Sequence, residues 1–149
     1  MQTVWLSGAE LLAVLRIGLG LWWLESWHHK DKKDWFAGGG IRWAAGVAAQ
    51  HRWPFVLRSF EAVVQPRARL MAYVVAYAEL ALGLGLILGF LTPIALAGGL
   101  LLNLIYFLLM IHDWAEQGQN LMMMLISGVA LLAMSWQAWS LDSMWGLFL

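Results

Sequence analysis

Four apolar runs alternate with polar stretches along the chain, at about 5–27, 70–91, 94–111 and 119–141. At about 1.5 Å of rise per residue, the second covers roughly 33 Å as a helix, enough to cross a bilayer. Three of the runs carry a polar residue near the middle: Arg16, Glu79 and Asn103. A charge at mid-membrane is expensive in hydrocarbon and has to face protein, water or an opposite charge. Small residues show which face each charge takes. Ala72, Ala76 and Gly83 lie at −7, −3 and +4 from Glu79, and Ala9, Ala13 and Gly20 stand at the same offsets from Arg16. On a helix these positions form one stripe, along which a second helix can approach closely. The matching stripes predict that the first two helices pack antiparallel, with Arg16 and Glu79 paired near the bilayer centre.

The polar stretches set the rest of the architecture. The first connection, 28–68, opens with the mixed-charge collar His28-His29-Lys30-Asp31-Lys32-Lys33-Asp34 and breaks at Gly38-Gly39-Gly40. Two short helices follow, at 41–49 and 54–65. In the second, Val56, Phe60, Val63 and Val64 oppose Arg58, Glu61 and Gln65, with Pro54 suited to its start and Pro66 to its end. Both are too short to cross and are expected to lie in the interface. Thr92-Pro93 makes a tight turn after the second run, and 112–118 joins the last two. The reading is a single all-α integral membrane domain over 1–149: a four-transmembrane-helix bundle with short interfacial helices.

Composition sharpens this picture. The chain is 62% hydrophobic and 12% charged, which excludes an ordinary soluble domain. Nine basic residues balance nine acidic ones, so net charge offers nothing to nucleic acid. Their placement is informative, because every basic residue except Arg16 lies between the first and second runs. That asymmetry places the first connection in the cytoplasm and both termini outside it, in the inner membrane of a prokaryote. The tryptophans agree: Trp23, Trp27, Trp35 and Trp114 fall at the inner boundary and Trp5, Trp139 and Trp145 at the outer. Lys30, Lys32 and Lys33, with Trp27 and Trp114, are candidate lipid contacts. The chain has no cysteine, which removes thiol redox chemistry and c-type haem attachment.

Several constellations invite a chemical reading. Glu25-Ser26-Trp27-His28 has the E-x-x-H spacing of di-iron bundles, yet no second such motif or further carboxylates accompany it, so no metal site is assigned. His28 and His112 fall at the same boundary and are candidates to clamp a haem, although boundary histidines more commonly just reach water. Gly83 to Gly89 has neither the spacing nor the preceding strand of a dinucleotide loop. Met122-Met123-Met124 reads as adaptable packing. Arg16 with Glu79 has two readings: a structural ion pair that fixes which helix faces which, or a polar site that binds a quinone oxygen or passes a proton.

Leu15-Arg16-Ile17-Gly18-Leu19-Gly20, a lysine shortly after the first span, Tyr77-Ala78-Glu79-Leu80-Ala81-Leu82-Gly83 with Leu88-Gly89-Phe90-Leu91-Thr92, and Gly118-Gln119-Asn120 opening the last span resemble the DoxX family. The long, tryptophan-rich first connection is closest to its DoxD-like branch. That resemblance implies a four-helix membrane protein and, in the DoxD-like branch, the membrane subunit of a thiosulfate:quinone oxidoreductase. It singles out Arg16, Lys30 or Lys33, Glu79 and Asn120, of which Arg16, Glu79 and Asn120 are the candidate site. No residue set recognisably binds thiosulfate, so a soluble redox partner would supply that chemistry. The expected function is a subunit of a quinone-linked oxidoreductase, with lipid and other membrane subunits as partners, quinone as the cofactor and no covalently bound group. A structural subunit of a larger respiratory or photosynthetic complex is the alternative, and a small transporter a weaker third.

Overall fold

A computed structural model describes residues 6–148, and every regular element in that range is helical. Trp5, expected at the outer boundary, lies outside the described residues. Helix α1 (Gly8–His29) starts where Ser7 and Glu10 form a reciprocal cap: Ser7 Oγ accepts the Glu10 N–H, and Glu10 Oε2 accepts the Ser7 N–H at 2.7 Å. Its buried face is Ala13, Arg16, Leu19, Gly20 and Trp23.

The first connection folds into α2 (Lys32–Phe36), α3 (Gly39–Ala49) and α4 (Pro54–Ser59). Trp35 anchors α2 by donating its indole N–H to Ala72 O at 2.8 Å, and Phe36 stacks on Tyr73 with centroids 4.4 Å apart. After α3, buried His51 acts as a latch. Its Nδ1 accepts the Trp53 N–H at 3.1 Å, so the ring proton sits on Nε2 and is donated to Leu108 O at 3.0 Å.

The separate interfacial helix expected at 54–65 does not form. Instead α4 passes through a π turn (Phe60–Val64) and a 3-10 turn (Gln65–Arg67) into α5 (Ala68–Leu88), one helical run of 35 residues from Pro54 to Leu88. Pro66 was expected to end the helix. The π turn absorbs one extra residue, Gln65 N–H reaches back to Phe60 O, and Pro66, with no N–H to place, sits in the tighter turn.

Helices α6 (Thr92–Leu109) and α7 (Trp114–Leu132) complete the bundle. The Pro54–Leu88 run and α6 are long and apolar enough to cross a membrane. Helices α1 and α7 are as long as α6 but carry Glu10, Arg16 and Glu25, and Glu116, Gln117, Gln119 and Asn120. Leu19, Trp23, Leu86, Leu96, Met123 and Ala130 form the shared core. Of the methionine run, Met123 packs there while Met122 faces outward.

The tightest seam joins α1 to α5. A methyl group on Gly20 would stand 2.8 Å from Ile87 Cγ1, and one on Gly83 would stand 2.6 Å from Leu24 Cδ2. The two backbones therefore nearly touch, as small-residue stripes permit.

The last long helix, expected to run to about 141, ends at Leu132, and the chain folds back under the bundle as a turn (Ser135–Gln137) and α8 (Leu141–Met144). Buried Asp142 on α8 accepts the N–H groups of Leu91 (2.8 Å) and Thr92 (2.7 Å) and donates its own N–H to Gly89 O at 2.9 Å. It caps α6 from the far end of the sequence, and holds Leu91 in a left-handed conformation (φ 51°).

Two outcomes follow from this packing. Gly83→Leu should drive a side chain into α1 and cost about 2 kcal/mol or more, whereas Gly18→Leu, with open space around it, should shift stability by about 0.5 kcal/mol at most. Thermal unfolding in detergent checks the contrast, and equal Tm values for the two variants would contradict the seam. Asp142→Ala should cost about 1–3 kcal/mol by stranding the buried Thr92 N–H and the partly buried Leu91 N–H, read as a Tm loss of several degrees relative to Ser143→Ala.

Candidate functional site

The expected pairing of Arg16 with Glu79 does not occur. The α1–α5 seam puts Ser26, not Arg16, opposite Glu79, and puts Arg16 against Gly89. Ten residues separate Arg16 from Ser26, about 15 Å along the helix axis. The error lay in assuming that the midpoints of the two apolar runs are level. The glycine contacts set the register instead, and they slide the helices past one another.

Glu79 finds its countercharge in Lys30. The ammonium lies 2.5 Å from Glu79 Oε2, with side-chain exposures of 11% for Lys30 and 1% for Glu79. The other carboxylate oxygen accepts from Tyr106 Oη at 3.1 Å and Ser26 Oγ at 3.3 Å. Three helices supply the polar groups of this arrangement and a fourth covers it. Ser26 and Lys30 share one face of α1 at a spacing of four, and Lys30, capping that helix, also donates to Ser26 O at 2.9 Å. Helix α5 supplies Glu79 from its small-residue stripe, and α6 supplies Tyr106. The Trp35 ring of α2 covers the ammonium, its centroid 4.6 Å from Nζ. Burying such a pair costs several kcal/mol per ion, offset only where further hydrogen bonds complete it, as the two hydroxyls do here. The arrangement is acid–base in character: one ammonium and two hydroxyls in contact with a carboxylate that is itself shielded from water. One turn along α6 from Tyr106, buried Asn103 has neither amide atom hydrogen-bonded, and the Trp23 indole N–H beside Gly99 is likewise unpartnered among the described residues. Most buried polar groups are satisfied, so an open carboxamide next to an acid–base cluster is an available donor and acceptor.

The remaining candidates lie elsewhere. Arg16, fully buried, donates to Trp139 O at 2.6 Å and Ser135 O at 3.3 Å, tying the C-terminal turn to α1. Asn120 faces the interior but donates its amide to Glu116 O in its own helix at 2.7 Å. His28 and His112 are exposed at the same end of the bundle, and the ring neighbouring His112 is that of His51, at 6.0 Å. Glu25 of the E-x-x-H motif pairs with His29 rather than His28. Lys30, expected at the lipid, is inside the site. Lys32 turns back onto α1, donating to Trp27 O and lying over the Trp27 ring, while Lys33 and Trp114 are exposed. Sequence reasoning passed over Tyr106, Ser26 and Asp142. Tyr106 had a usable signal, as the one hydroxyl of α6 beyond Thr92, three residues from Asn103 on the same face. Asp142 had another, as the last charge of an otherwise apolar tail.

Comparison with curated proteins and with solved structures gave no match. The DoxX family model matches residues 11–113, a stretch that contains Arg16, Ser26, Lys30, Glu79, Asn103 and Tyr106 and stops before Asn120 and Asp142. With that match extending over most of the chain and the whole Glu79 cluster, the protein belongs to the DoxX family of membrane proteins.

Proposed function

We propose that this chain is the membrane subunit of a quinone-linked oxidoreductase of the thiosulfate:quinone type, with Glu79, Lys30 and Tyr106 as its acid–base site. In this reading α1, the run into α5, α6 and α7 cross a prokaryotic inner membrane as four helices, with the basic first connection in the cytoplasm. The observation that carries the proposal is the buried Glu79 carboxylate, held at once by an ammonium and by a phenolic hydroxyl. The hydroxyls of Tyr106 and Ser26 that complete the buried pair also bring exchangeable protons onto the carboxylate, and intramembrane ionisable groups commonly mark proton or substrate paths.

Reduction of a quinone to a quinol takes up two electrons and two protons. The electrons come from the soluble thiosulfate-oxidising partner, and this chain contributes the protons and the binding. Tyr106 Oη and Lys30 Nζ are the proton donors, held in place by the Glu79 carboxylate, and the protons they give up are replaced from water on the side where Lys30 is partly exposed. Asn103 offers an amide N–H to a quinone oxygen and a carbonyl to a quinol hydroxyl, so the residues present fit the substrate. A second reading, a non-catalytic subunit of a larger membrane complex, draws on the exposed Trp43 and Trp145, which would be contact surface.

In the assembled complex, Glu79→Gln should lower quinone reduction by about 10²-fold or more. Glu79→Gln with Lys30→Met should recover the stability lost in the single variant without recovering turnover. A well-folded double variant that reduces quinone at the normal rate would sink the acid–base assignment and leave the structural reading. Topology is testable separately on this cysteine-free chain. Lys33→Cys should react with an impermeant maleimide only after the membrane is opened, and Met144→Cys, exposed at the opposite end, should react from outside. The reverse pattern would invert the orientation.

A further inference from the structure

Most cations of this chain are committed within it. Arg16 is taken up by backbone carbonyls, Lys30 by Glu79, Lys32 by Trp27 O, and Arg42 by Asp34 at 3.7 Å. Of the remaining basic residues, all but Lys33 are arginines of one stretch: Arg52, Arg58, Arg67 and Arg69. Each is exposed, none has a carboxylate partner among the described residues, and the stretch holds a single acid, Glu61. Apolar groups are exposed beside them. On the helical run from Pro54, exposed Phe55, Ala62 and Val63 form one stripe at i, i+7 and i+8, turned away from half-buried Val56, Phe60 and Val64. The Arg52 guanidinium lies over the Trp53 ring, 5.2 Å from its centroid, and that ring stacks on Phe55 at 6.0 Å.

Two contacts fix where this stretch runs. Measured from the turn that joins them, α5 extends about 32 Å and α6 about 27 Å, so their far ends are level to within about 5 Å. The His51 ring joins the Trp53 N–H to Leu108 O, which pins the start of α4 beside the far end of α6. Arg67 leads directly into Ala68, the far end of α5. The residues between, about 20 Å of helix, therefore run across the base of the bundle rather than onward along the α5 axis. The π turn and Pro66 supply the bend. This is the level at which helices of bilayer length leave the hydrocarbon.

We infer that the stretch from Arg52 to Arg69 is a binding surface for anionic phospholipids, its arginines taking the phosphates while Phe55 and Val63 enter the acyl boundary. The inference rests on α5 and α6 crossing a bilayer and not on the quinone chemistry. Arginine presents a planar fork that holds a phosphate through two N–H groups at once. Each uncommitted cation near an anionic surface strengthens the attraction severalfold. An acidic protein would feel the same charge, but an apolar stripe set among cations suits a boundary with phosphates on one side and hydrocarbon on the other.

The test titrates the whole chain in neutral detergent with two fluorescent lipids of equal tail length, phosphatidylglycerol and phosphatidylcholine, read by energy transfer from its tryptophans. The wild type should bind phosphatidylglycerol about tenfold or more tighter than phosphatidylcholine. Replacing Arg52, Arg58, Arg67 and Arg69 together by Gln should bring the two affinities to within about twofold of each other. Lys33→Gln, which removes an exposed cation outside the stretch, should leave the preference in place. The wild type at about 0.5 M salt makes the same comparison without any substitution, and screening should shrink its preference severalfold. If the fourfold variant keeps the preference, or Lys33→Gln abolishes it, the assignment to this stretch is overturned. Equal binding of the two lipids by the wild type overturns it as well. If in that case polyglutamate binds in a way that the fourfold variant loses, an acidic protein is the partner of the stretch and not a lipid.

Discussion

The close approach of α1 and α5 decides most of what this molecule can do. With Gly20 lying on Gly83 and Ile87, and Gly83 lying on Leu24, the two helices have one register in which their backbones can meet. That register places every polar side chain on their shared face. Arg16 is carried to the level of the Gly89 turn, where backbone carbonyls receive it. Ser26 and Lys30 are carried to the level of Glu79. A slip by one helical turn, about 5.4 Å, would break both arrangements together. The glycines thus act through position rather than flexibility, and the electrostatics of the bundle follow from a steric fact.

Between these two polar levels lies the apolar cluster of Leu19, Leu86, Leu96, Met123 and Ala130. It divides the labour of the buried charges. On one side Arg16 and Asp142 are occupied with main chain: Arg16 with two carbonyls of the C-terminal turn, Asp142 with two N–H groups at the start of α6. Both residues satisfy helix-end and turn groups that have no partner within their own segments. On the other side Glu79 and Lys30 are occupied with side chains, in a set rich in transferable protons. Two mid-helix charges that look equivalent along the sequence therefore differ in kind.

How much of this was legible beforehand depends on the range of the interaction involved. The long helices, their inward stripes and the burial of Arg16 and Glu79 could be read from periodicity, because each depends only on residues within a few turns. The antiparallel contact of the first two helices was legible in the matching small residues. The register was not. It depends on which glycine meets which side chain across the seam, and taking span midpoints as level replaced that steric question with a symmetry. The same limit hid the continuity through Pro66, where a π turn supplied the extra residue a proline needs, and the remote capping of α6 by Asp142, some fifty positions away in sequence. Lys30 was visible as a charge in the collar and as part of the family resemblance. Only the register separates it from Lys32 and Lys33.

The position of the Glu79 cluster bears on the direction in which it can exchange protons. Lys30 is the charged partner with a partly exposed side chain, and it lies at the end of α1 that leads into the basic connection. In the other direction Asn103 comes first, and the leucine and methionine core separates it from Thr92 and Arg16, which are held by Asp142 and by backbone carbonyls. A proton reaching Glu79 by hydrogen-bonded steps therefore has a short route from the basic side, past Trp35 and along Lys30, and a dry layer on the other. Burial makes the paired charge costly to separate, which holds Lys30 over the carboxylate, and the cation–π contact with Trp35 holds it there from above. The residue that neutralises the buried acid is thus also the one that connects it to water.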